Sequence, residues 1–439
     1  MDWGRLPDLV VFGVMASAFA SVARRRHTSV SALWLTGWML VVAHFAALLF
    51  APLPGIWGTV AADFGLSALV GAGLLFMLAS IPYRHDVSSR WMTFALLGVS
   101  LLYIVAVNSE STPGWAMTVA ALLVGVVPFG LAVSTIHRIC HPLRWLVVGL
   151  YAVLSVFLLN FQNLPDIGRG LALNGLLFTV YLGCCLFLIY SYRLETTGAQ
   201  ITVFGFIGWA AVFVAVPVMT AVRPDIHVES GVWNLPKFIV AVGMILLLLE
   251  EQIEHNKYLA LHDELTGLPN RRLFLDRLSV ALERARRAGS KAALLVVDLD
   301  HFKQVNDTLG HHAGDQLLQQ VGEIFLNRVR RSDTVARTGG DEFSFILEEP
   351  INALSAAQVA RSLAELLNQP LRIGEHNVHV GASIGLAIFP DDATEKEALC
   401  IAADLRMYDK KHSPRGDESD KTGGPDTPSS VIEPIAPLS

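Results

Sequence analysis

Two groups of acidic residues lie far apart in this 439-residue sequence, and each has a setting in which chemistry is expected. The first ends a continuous apolar run, Ala292–Asp298, and includes Asp298 and Asp300. The second is a pair, Asp341 and Glu342, that follows two glycines between short β-like runs. Carboxylates at a strand end and on a neighbouring hairpin can converge, and such hard oxygen ligands suit Mg²⁺ bound together with substrate phosphates. Two bridged ions would stabilise the attacking and leaving oxygens of a displacement at phosphorus.

A sheet is needed to hold these acids, and residues 262–415 alternate strand and helix signals. The predicted strands are Ala292–Asp298, Thr334–Thr338, Glu342–Leu347 and Val378–Phe389, and the predicted helices are Gly314–Val329, Ser355–Asn368 and Glu395–His412. This order predicts an α/β or α+β fold with a sheet of about five strands and helices packed on it. Residues 416–439 are rich in Pro, Ser, Gly and Asp, which predicts a disordered tail.

Charge is divided unevenly between the two parts of the chain. Residues 1–249 carry 21 charged side chains, and residues 250–439 carry 51. The first part therefore has the composition of a membrane protein and the second that of a soluble domain, which excludes one evenly composed soluble domain. A net charge of -6 gives no indication of nucleic-acid binding. The four cysteines lack paired CxxC spacing, which argues against a disulfide framework or a zinc site.

The first part contains nine apolar segments that come close to the roughly 20 residues needed to cross a bilayer. They are Leu9–Val22, Ala32–Ala51, Thr59–Ile81, Trp91–Val107, Trp115–Ile136, Leu143–Phe161, Leu171–Tyr192, Ile201–Val222 and Val232–Leu249. The first is short and the last is interrupted by Pro236 and Lys237, so eight spans is the alternative to nine. The sequence thus predicts an all-α membrane bundle over residues 1–249, and no cleaved signal peptide is expected.

The basic residues of the loops predict the orientation of the bundle. With nine spans, one set of loops holds Arg24, Arg25, Arg26, Arg84, Arg90, Arg138, Arg144 and Arg193, and the other holds Arg5, Arg169 and Arg223, with Lys237 at a span end. The richer set is expected in the cytoplasm, together with everything after Glu250. The opposite loops are short, so any stimulus is expected to be sensed within or near the bilayer.

Two ionisable residues, His44 and Asp63, lie inside predicted spans, where such groups suggest function by default. The simpler interpretation is that Asp63 reaches water at a span end and that His44 is hydrogen-bonded within the bundle. Residues 250–261 contain neither Gly nor Pro and are predicted to form a linker helix that continues the last span. His255 in this linker lacks the residues that a phospho-accepting histidine needs, so a kinase is not supported.

Gly339-Gly340-Asp341-Glu342-Phe343 is the signature of the GGDEF family of diguanylate cyclases, and the chain resembles that family over about residues 262–415. Three further stretches agree in order and spacing: Asp263–Arg272, Asp298–Asp315 and Asp404–Lys411. The resemblance implies a fold like the palm of class III nucleotide cyclases and polymerases. It also implies condensation of two GTP to cyclic di-GMP and two pyrophosphates, dependent on Mg²⁺ or Mn²⁺. Since only a tail follows, no phosphodiesterase domain is expected.

The resemblance also implies roles for individual positions. Asp298, the Leu299 carbonyl, Asp341 and Glu342 would hold the metal, and Asp341 would accept the proton of the attacking 3′-hydroxyl. Lys303 would neutralise charge that develops on the phosphates. The substrate contacts implied are Asn306, His311 and Asp315 for the guanine, and Lys411 and Arg415 for the phosphates. Pro414 and Gly416 depart from the family's usual neighbours of Arg415.

Arg330-Arg331-Ser332-Asp333 matches the family's RxxD product-binding motif. Arg330 and Asp333, with Arg361 as a second arginine, would then form an inhibitory site for cyclic di-GMP. The alternative interpretation of the four residues is a surface ion pair. Because each half-site holds one GTP, the reaction also implies a homodimer in which two half-sites face each other.

The sequence therefore predicts a multi-pass protein of the inner membrane with a cytoplasmic catalytic domain, GTP as substrate and the lipid bilayer as surroundings. The intact positions of Asp298, Lys303, Asp341 and Glu342 favour an enzyme. The alternative is a receptor that binds GTP or cyclic di-GMP without turnover and signals through protein contacts. A transporter with an attached regulatory domain is a third reading, for which no convincing internal repeat is found.

Overall fold

The computed structural model describes residues 1–24, 29–80, 87–109, 112–134, 142–161, 167–225, 228–348, 351–412 and 432–434. The chain divides into two compact units, Met1–Ile253 and Glu254–Ser439. Each unit has its own hydrophobic core. The division lies close to the change in charge density that the sequence shows near Glu250.

The first unit is entirely helical in its described residues. Its helices are α1 (Leu6–Ala23), α2 (Ser29–Phe50), α3 (Ile56–Ala79), α4 (Val87–Asn108), α5 (Gly114–Ser134), α6 (Pro142–Phe161), α7 (Ile167–Tyr192), α8 (Thr197–Val222) and α9 (Ser230–Leu261), preceded by a short 3-10 turn at Trp3–Arg5. Eight of these helices are long and apolar enough to cross a membrane; the apolar stretch of α6, Trp145–Asn160, is shorter. The helix that is too short to count as a membrane span is therefore α6. The sequence analysis had instead questioned the first and the last apolar segments, which correspond to α1 and α9.

Three of the polar side chains inside the bundle, His44, Asp63 and Lys237, have hydrogen-bond partners. The His44 Nδ1 lies 2.8 Å from the Gly65 carbonyl, and the Asn108 amide donates to the Asp63 carboxylate. His44 is thus hydrogen-bonded within the bundle, as the simpler interpretation expected. Lys237 is also buried, with 7% exposure, and its ammonium donates to the Asn234 side-chain oxygen at 2.7 Å.

The last helix of the first unit does not end where the apolar sequence ends. α9 runs without interruption to Leu261, so the linker helix predicted for residues 250–261 is continuous with the last apolar helix. Within the first unit, the Glu250 carboxylate accepts from the backbone N–H of Gly198 at the start of α8, at 3.1 Å for each oxygen. Gly198 has no side chain that would block this approach, since a Cβ there would lie 2.7 Å from the Glu250 Oε2.

The second unit is built on an antiparallel sheet with helices packed on it. Its helices are α10 (Arg271–Ala288), α11 (Phe302–Leu309), α12 (His311–Arg328), α13 (Ala353–Leu367) and α14 (Lys396–His412), and its strands are β1 (Ala292–Leu299), β2 (Thr334–Arg337), β3 (Glu342–Leu347), β4 (Leu371–Ile373), β5 (His376–Val378), β6 (Ala382–Phe389) and β7 (Ile432–Pro434). The main sheet has the order β2-β3-β1-β6. Every residue of β1 is buried, because the strand lies in the middle of the sheet with helices on it.

The expectation of about five strands in the sheet is wrong, because the main sheet has four among the described residues. The sequence predicts one strand over Val378–Phe389, but the chain leaves the strand conformation after Val378 and re-enters it at Ala382. β6 alone joins the main sheet, while β5 pairs with β4 and β7 in a separate three-stranded sheet. β7 lies within the segment that the sequence predicts to be a disordered tail, and its three residues form a strand instead.

Candidate functional site

The centre of the site is a row of three side chains across the middle of the sheet. In the strand register Asp298 of β1 lies opposite Glu342 of β3 on one side and Ser383 of β6 on the other. Paired residues of neighbouring strands point to the same face. The sheet therefore brings together two of the acids that the sequence singled out, although 44 positions separate them.

The environment of both carboxylates raises their pKa values. Burial raises the pKa of Asp298 above its usual value, the hydrogen bond from Lys411 opposes this, and the charge of Asp341 adds to the rise. Burial likewise raises the pKa of Glu342, followed by the charges of Asp298, Asp341 and Asp404. A cluster of acids that repel one another is stabilised by a bound cation.

The hairpin between β2 and β3 presents Asp341 at the end of β1. The backbone N–H of Leu299 donates to the Asp341 carbonyl at 3.2 Å, and that of Thr338 donates to the Glu342 carbonyl at 2.9 Å. A Cβ on Gly339 would lie 2.6 Å from the Glu342 Oε2, so this position has no room for a side chain. The first glycine of the signature thus permits the close approach of the Glu342 carboxylate to the turn.

Lys411 connects the last long helix to the acids. Its ammonium donates to the Asp298 Oδ1 at 2.6 Å, and this hydrogen bond raises the pKa of Lys411. α14 is held on the sheet in part because Gly385 of β6 lacks a side chain, since a Cβ there would lie 1.9 Å from the Ala403 carbonyl oxygen. The predicted phosphate-binding Lys411 therefore lies directly beside the predicted metal-binding Asp298.

The loop after β1 positions the remaining predicted contacts. His301 adopts a left-handed conformation, with φ 63°, where the chain turns from β1 into α11. Lys303 lies exposed on α11. Asn306 lies against Gly314 of α12, where an added Cβ would be 1.9 Å from the Asn306 Oδ1. His311 and Asp315 are exposed in the first turns of α12, so α11 and α12 carry all the predicted guanine contacts on adjoining elements.

The hairpin is also tied to the segment that precedes α10. The Arg337 guanidinium donates to the Gly340 carbonyl at 2.8 Å and to the Asp263 Oδ1 at 2.9 Å. Burial acts to raise the pKa of Asp263, but hydrogen bonds from Thr266 and Arg337 outweigh it and hold the pKa below its usual value. Asp263 belongs to the stretch Asp263–Arg272 that matches the family, but only the structure shows that its carboxylate binds Arg337 of the hairpin.

Two residues of the predicted product site, Arg330 and Asp333, belong to the turn before β2. The Asp333 carboxylate accepts from the backbone N–H groups of Arg330, at 3.0 Å, and Glu348, at 3.2 Å. Asp333 thus closes the turn before β2, and the structure gives no ion pair between Asp333 and Arg330 in the described part of the chain. Arg361 lies on α13. Arg415 lies outside the described residues.

Two further residues of the site, Asp300 and Ser383, have no individual role assigned from the sequence. Asp300 is 8% exposed, and its Oδ1 accepts from the Ser383 hydroxyl at 2.8 Å. Ser383 is the strand partner of Asp298, so this serine lies beside Asp298 in the sheet and donates to Asp300. The spacing of Asp298 and Asp300 signals that both serve one site, but the serine is identified only by the register of β6.

The donor set fits a magnesium ion held together with phosphates. The described residues contain no preformed cluster of three or more acidic, histidine or cysteine ligands. Mg²⁺ characteristically binds proteins through one or two carboxylates and takes its other ligands from substrate phosphates and water. Asp298 and Glu342, as strand partners with raised pKa values, supply such a pair.

Comparison with known proteins identifies a family for the second unit. Residues 260–417 match the family described as diguanylate cyclase, GGDEF domain. The bifunctional diguanylate cyclase/cyclic di-GMP phosphodiesterase MucR of Pseudomonas aeruginosa is 30% identical over 82% of this chain and 54% of its own length. Diguanylate cyclase TpbB of the same organism is 39% identical over 35% of this chain and 36% of its own. The chain thus spans about half the length, or less, of these curated relatives.

The chain is also similar to solved structures of GGDEF domains. The GGDEF domain of TpbB from Pseudomonas aeruginosa is 39% identical, covers 35% of this chain and 91% of that chain, and has a TM-score of 0.35. The coiled coil and GGDEF domain of DgcB from Caulobacter crescentus, in complex with c-di-GMP, is 27% identical, covers 40% of this chain and 94% of that chain, and has a TM-score of 0.38.

Proposed function

We propose, from the premise that residues 260–417 are a GGDEF domain with diguanylate cyclase homologues, that this chain is a membrane-bound diguanylate cyclase. It would condense two GTP to cyclic di-GMP and two pyrophosphates. The observation that carries the proposal is the convergence of Asp298, Glu342 and Asp341 at the end of β1, with Lys411 on Asp298 at 2.6 Å. Paired acids and a lysine at one strand end suit phosphoryl chemistry.

Each of the two bonds of the product forms in the same way. The 3′-oxygen of one GTP attacks the α-phosphorus of the other, the bond from that phosphorus to the pyrophosphate oxygen breaks, and the hydroxyl proton leaves. Asp341 would accept this proton. Asp298, the Leu299 carbonyl, Asp341 and Glu342 would hold Mg²⁺, which would supply charge stabilisation for the phosphate oxygens. Lys303 and Lys411 would neutralise the charge that remains on the departing pyrophosphate.

Recognition of the base would come from α11 and α12. Asn306 would bind the guanine edge together with Asp315, with His311 beside them. The missing side chain at Gly314 supports this role, because it leaves room for the Asn306 amide in its present position. Arg415 would add a phosphate contact beyond Lys411.

The membrane unit would place the reaction at the cytoplasmic face of the inner membrane. Eight apolar helices support the membrane location, and the arginine-rich loops support the orientation. Because α9 is continuous to Leu261, it would carry changes in the bundle towards the catalytic domain of a homodimer. Inhibition by product at Arg330, Asp333 and Arg361 would limit the output.

The test is formation of cyclic di-GMP from GTP and Mg²⁺ by the full-length chain in membranes. Asp341→Ala should abolish product formation, whereas Glu323→Ala, an exposed acid on α12, should not change it. Metal removal by a chelator should stop the reaction and Mg²⁺ should restore it. Binding of GTP without any turnover at high protein concentration would favour the receptor instead and would refute the enzyme.

A further inference from the structure

Helix α14 has four sides with different surroundings. The inner side packs on the sheet: Leu399 and Ala403 are fully buried, and Gly385 of β6 leaves room for the helix backbone. One flank meets the loop after β6, where Arg406 donates to the Asp392 carboxylate at 2.7 Å. These two contacts fix the rotation of the helix about its own axis.

The opposite flank faces the candidate catalytic site. Lys411 donates to Asp298 at 2.6 Å, and the negative charge of Asp404 contributes to the raised pKa of Glu342. Asp404 and Lys411 are seven residues apart, which is close to two helical turns, so they lie on the same side. α14 therefore forms one wall of the proposed half-site.

The fourth side is apolar and open to solvent. Ile401, Leu405 and Tyr408 are 59%, 59% and 57% exposed, and their spacing of four and three residues places them in one row, here called the outer stripe. The Tyr408 ring is stacked on the His412 ring with centroids 4.0 Å apart, which orders the end of the row. The row lies about a quarter turn of the helix from Asp404 and Lys411.

We propose that the outer stripe is the surface on which the catalytic domain of a second copy of this chain docks during the reaction. This inference rests on the proposed function and deepens it by naming the contact surface. The half-site is incomplete alone, because the 3′-hydroxyl of one GTP must reach the α-phosphorus of a GTP held by another copy. A second domain that covers the half-site also covers the apolar residues that adjoin it on α14.

The outer stripe is large enough for a contact that forms only with bound nucleotide, but too small for a permanent interface. Three side chains of this exposure present on the order of a few hundred Å² on each copy, so two stripes together stay below the roughly 1,000 Å² of total buried surface expected of a specific stable interface. The stripe alone therefore does not hold two domains together. Two bound nucleotides shared between the half-sites would supply the remaining contacts, so that the domains associate only when both carry GTP.

Site-directed cross-linking tests the proposal on the full-length chain in membranes. Leu405→Cys is introduced in a Cys400→Ala background, and a short bis-maleimide is added with Mg²⁺ and 3′-deoxy-GTP, which lacks the attacking hydroxyl. The matched control is Leu354→Cys on α13, where the native leucine is 72% exposed. We expect nucleotide-dependent covalent dimer from Leu405→Cys and only background from the control and the parent chain.

The second test measures the cyclase activity of variants in the outer stripe. Leu405→Glu should lower cyclic di-GMP formation roughly tenfold or more, because like charges would meet across the two-fold contact. Leu354→Glu should leave the rate unchanged, and Leu405→Gln, which adds no charge, should lose less than Leu405→Glu. A melting curve of each variant shows whether the domain is folded.

The outcomes separate this inference from the proposed function. If the wild type makes no product but Leu405→Cys cross-links with nucleotide, the cyclase proposal fails and the docking surface stands. If the wild type is active but Leu405→Cys cross-links no better than Leu354→Cys, the outer stripe is not the contact surface. Loss of activity in Leu405→Glu without cross-linking of Leu405→Cys would point to another partner, such as lipid, and would equally overturn the proposal.

Discussion

The Arg337 guanidinium donates to the Asp263 carboxylate at 2.9 Å, across 74 positions of sequence, and also binds the Gly340 carbonyl of the signature turn. The two residues therefore connect the segment before α10 to the turn that presents Asp341 and Glu342. Only 12% and 24% of their side-chain surfaces are exposed, so the ion pair is shielded from solvent and stronger than a surface pair.

Arg337→Lys should reduce activity more than it reduces stability. A lysine is a single point charge and cannot serve both the Asp263 oxygen and the Gly340 carbonyl in the way that a planar guanidinium does. We expect a roughly tenfold lower rate of cyclic di-GMP formation, since small displacements of catalytic groups are costly. Steady-state rates in membranes measure this, with Arg372→Lys on β4 as the control. An unchanged rate would contradict a positioning role for Arg337.

Asp298→Asn should stabilise the metal-free catalytic domain while it abolishes activity. Burial raises the pKa of Asp298, so the folded state binds the proton more tightly than the unfolded state does. By linkage, the free energy of unfolding falls as pH rises from the unfolded-state pKa of this group through its folded-state pKa. At neutral pH the carboxylate is ionised, so the full loss of stability is present. The uncharged asparagine removes this loss.

Thermal melts with chelator at pH 7 and pH 4 measure the effect. The melting temperature of Asp298→Asn should exceed that of the wild type at pH 7, and the difference should shrink at pH 4. Asp276→Asn on α10, which is exposed, should show no such difference. A lower melting temperature for Asp298→Asn at pH 7 would mean that the ion pair with Lys411 outweighs burial.

Gly314→Ala should weaken GTP binding. An added Cβ would lie 1.9 Å from the Asn306 Oδ1, so the amide must leave its position beneath α12. Under the proposed function we expect a KM for GTP that is higher by roughly tenfold, equivalent to the loss of about one hydrogen bond to the base. Gly322→Ala on the same helix is the control, because its nearest neighbour is the flexible Leu268 side chain at 3.3 Å. Equal KM values for the two variants would refute the role of Asn306.

Glu250→Ala should destabilise the membrane unit. The carboxylate accepts from the Gly198 N–H at the start of α8, which combines a charged hydrogen bond with the positive end of a helix. The expected loss is about 1–2 kcal/mol. Thermal unfolding in detergent measures it, and Glu254→Ala, whose exposed pair with Lys257 is worth little, is the control. Equal melting temperatures for the two variants would show that the contact does not hold α9.

Much of the fold follows from local patterns. The apolar run at Ala292 predicts a strand, and β1 begins at that residue; the predicted strand Glu342–Leu347 coincides with β3. The predicted strand Val378–Phe389 is divided at Gly381 between β5 and β6, which belong to different sheets. Hydrophobic content continues from Val378 to Phe389, while assignment to one sheet or another depends on pairing partners, which a local pattern does not contain.

The sequence by itself determined the division into an apolar helical unit and a GGDEF domain, together with the order of the acids, glycines and basic residues along the chain. Composition and motif spacing suffice for this, because they depend on near neighbours. Only the tertiary structure decided that Ser383 bonds Asp300, that Lys411 bonds Asp298 and that Arg337 bonds Asp263. Each of these contacts joins distant segments, so it is set by strand register and by the rotation of a packed helix, neither of which is encoded within a short window of sequence.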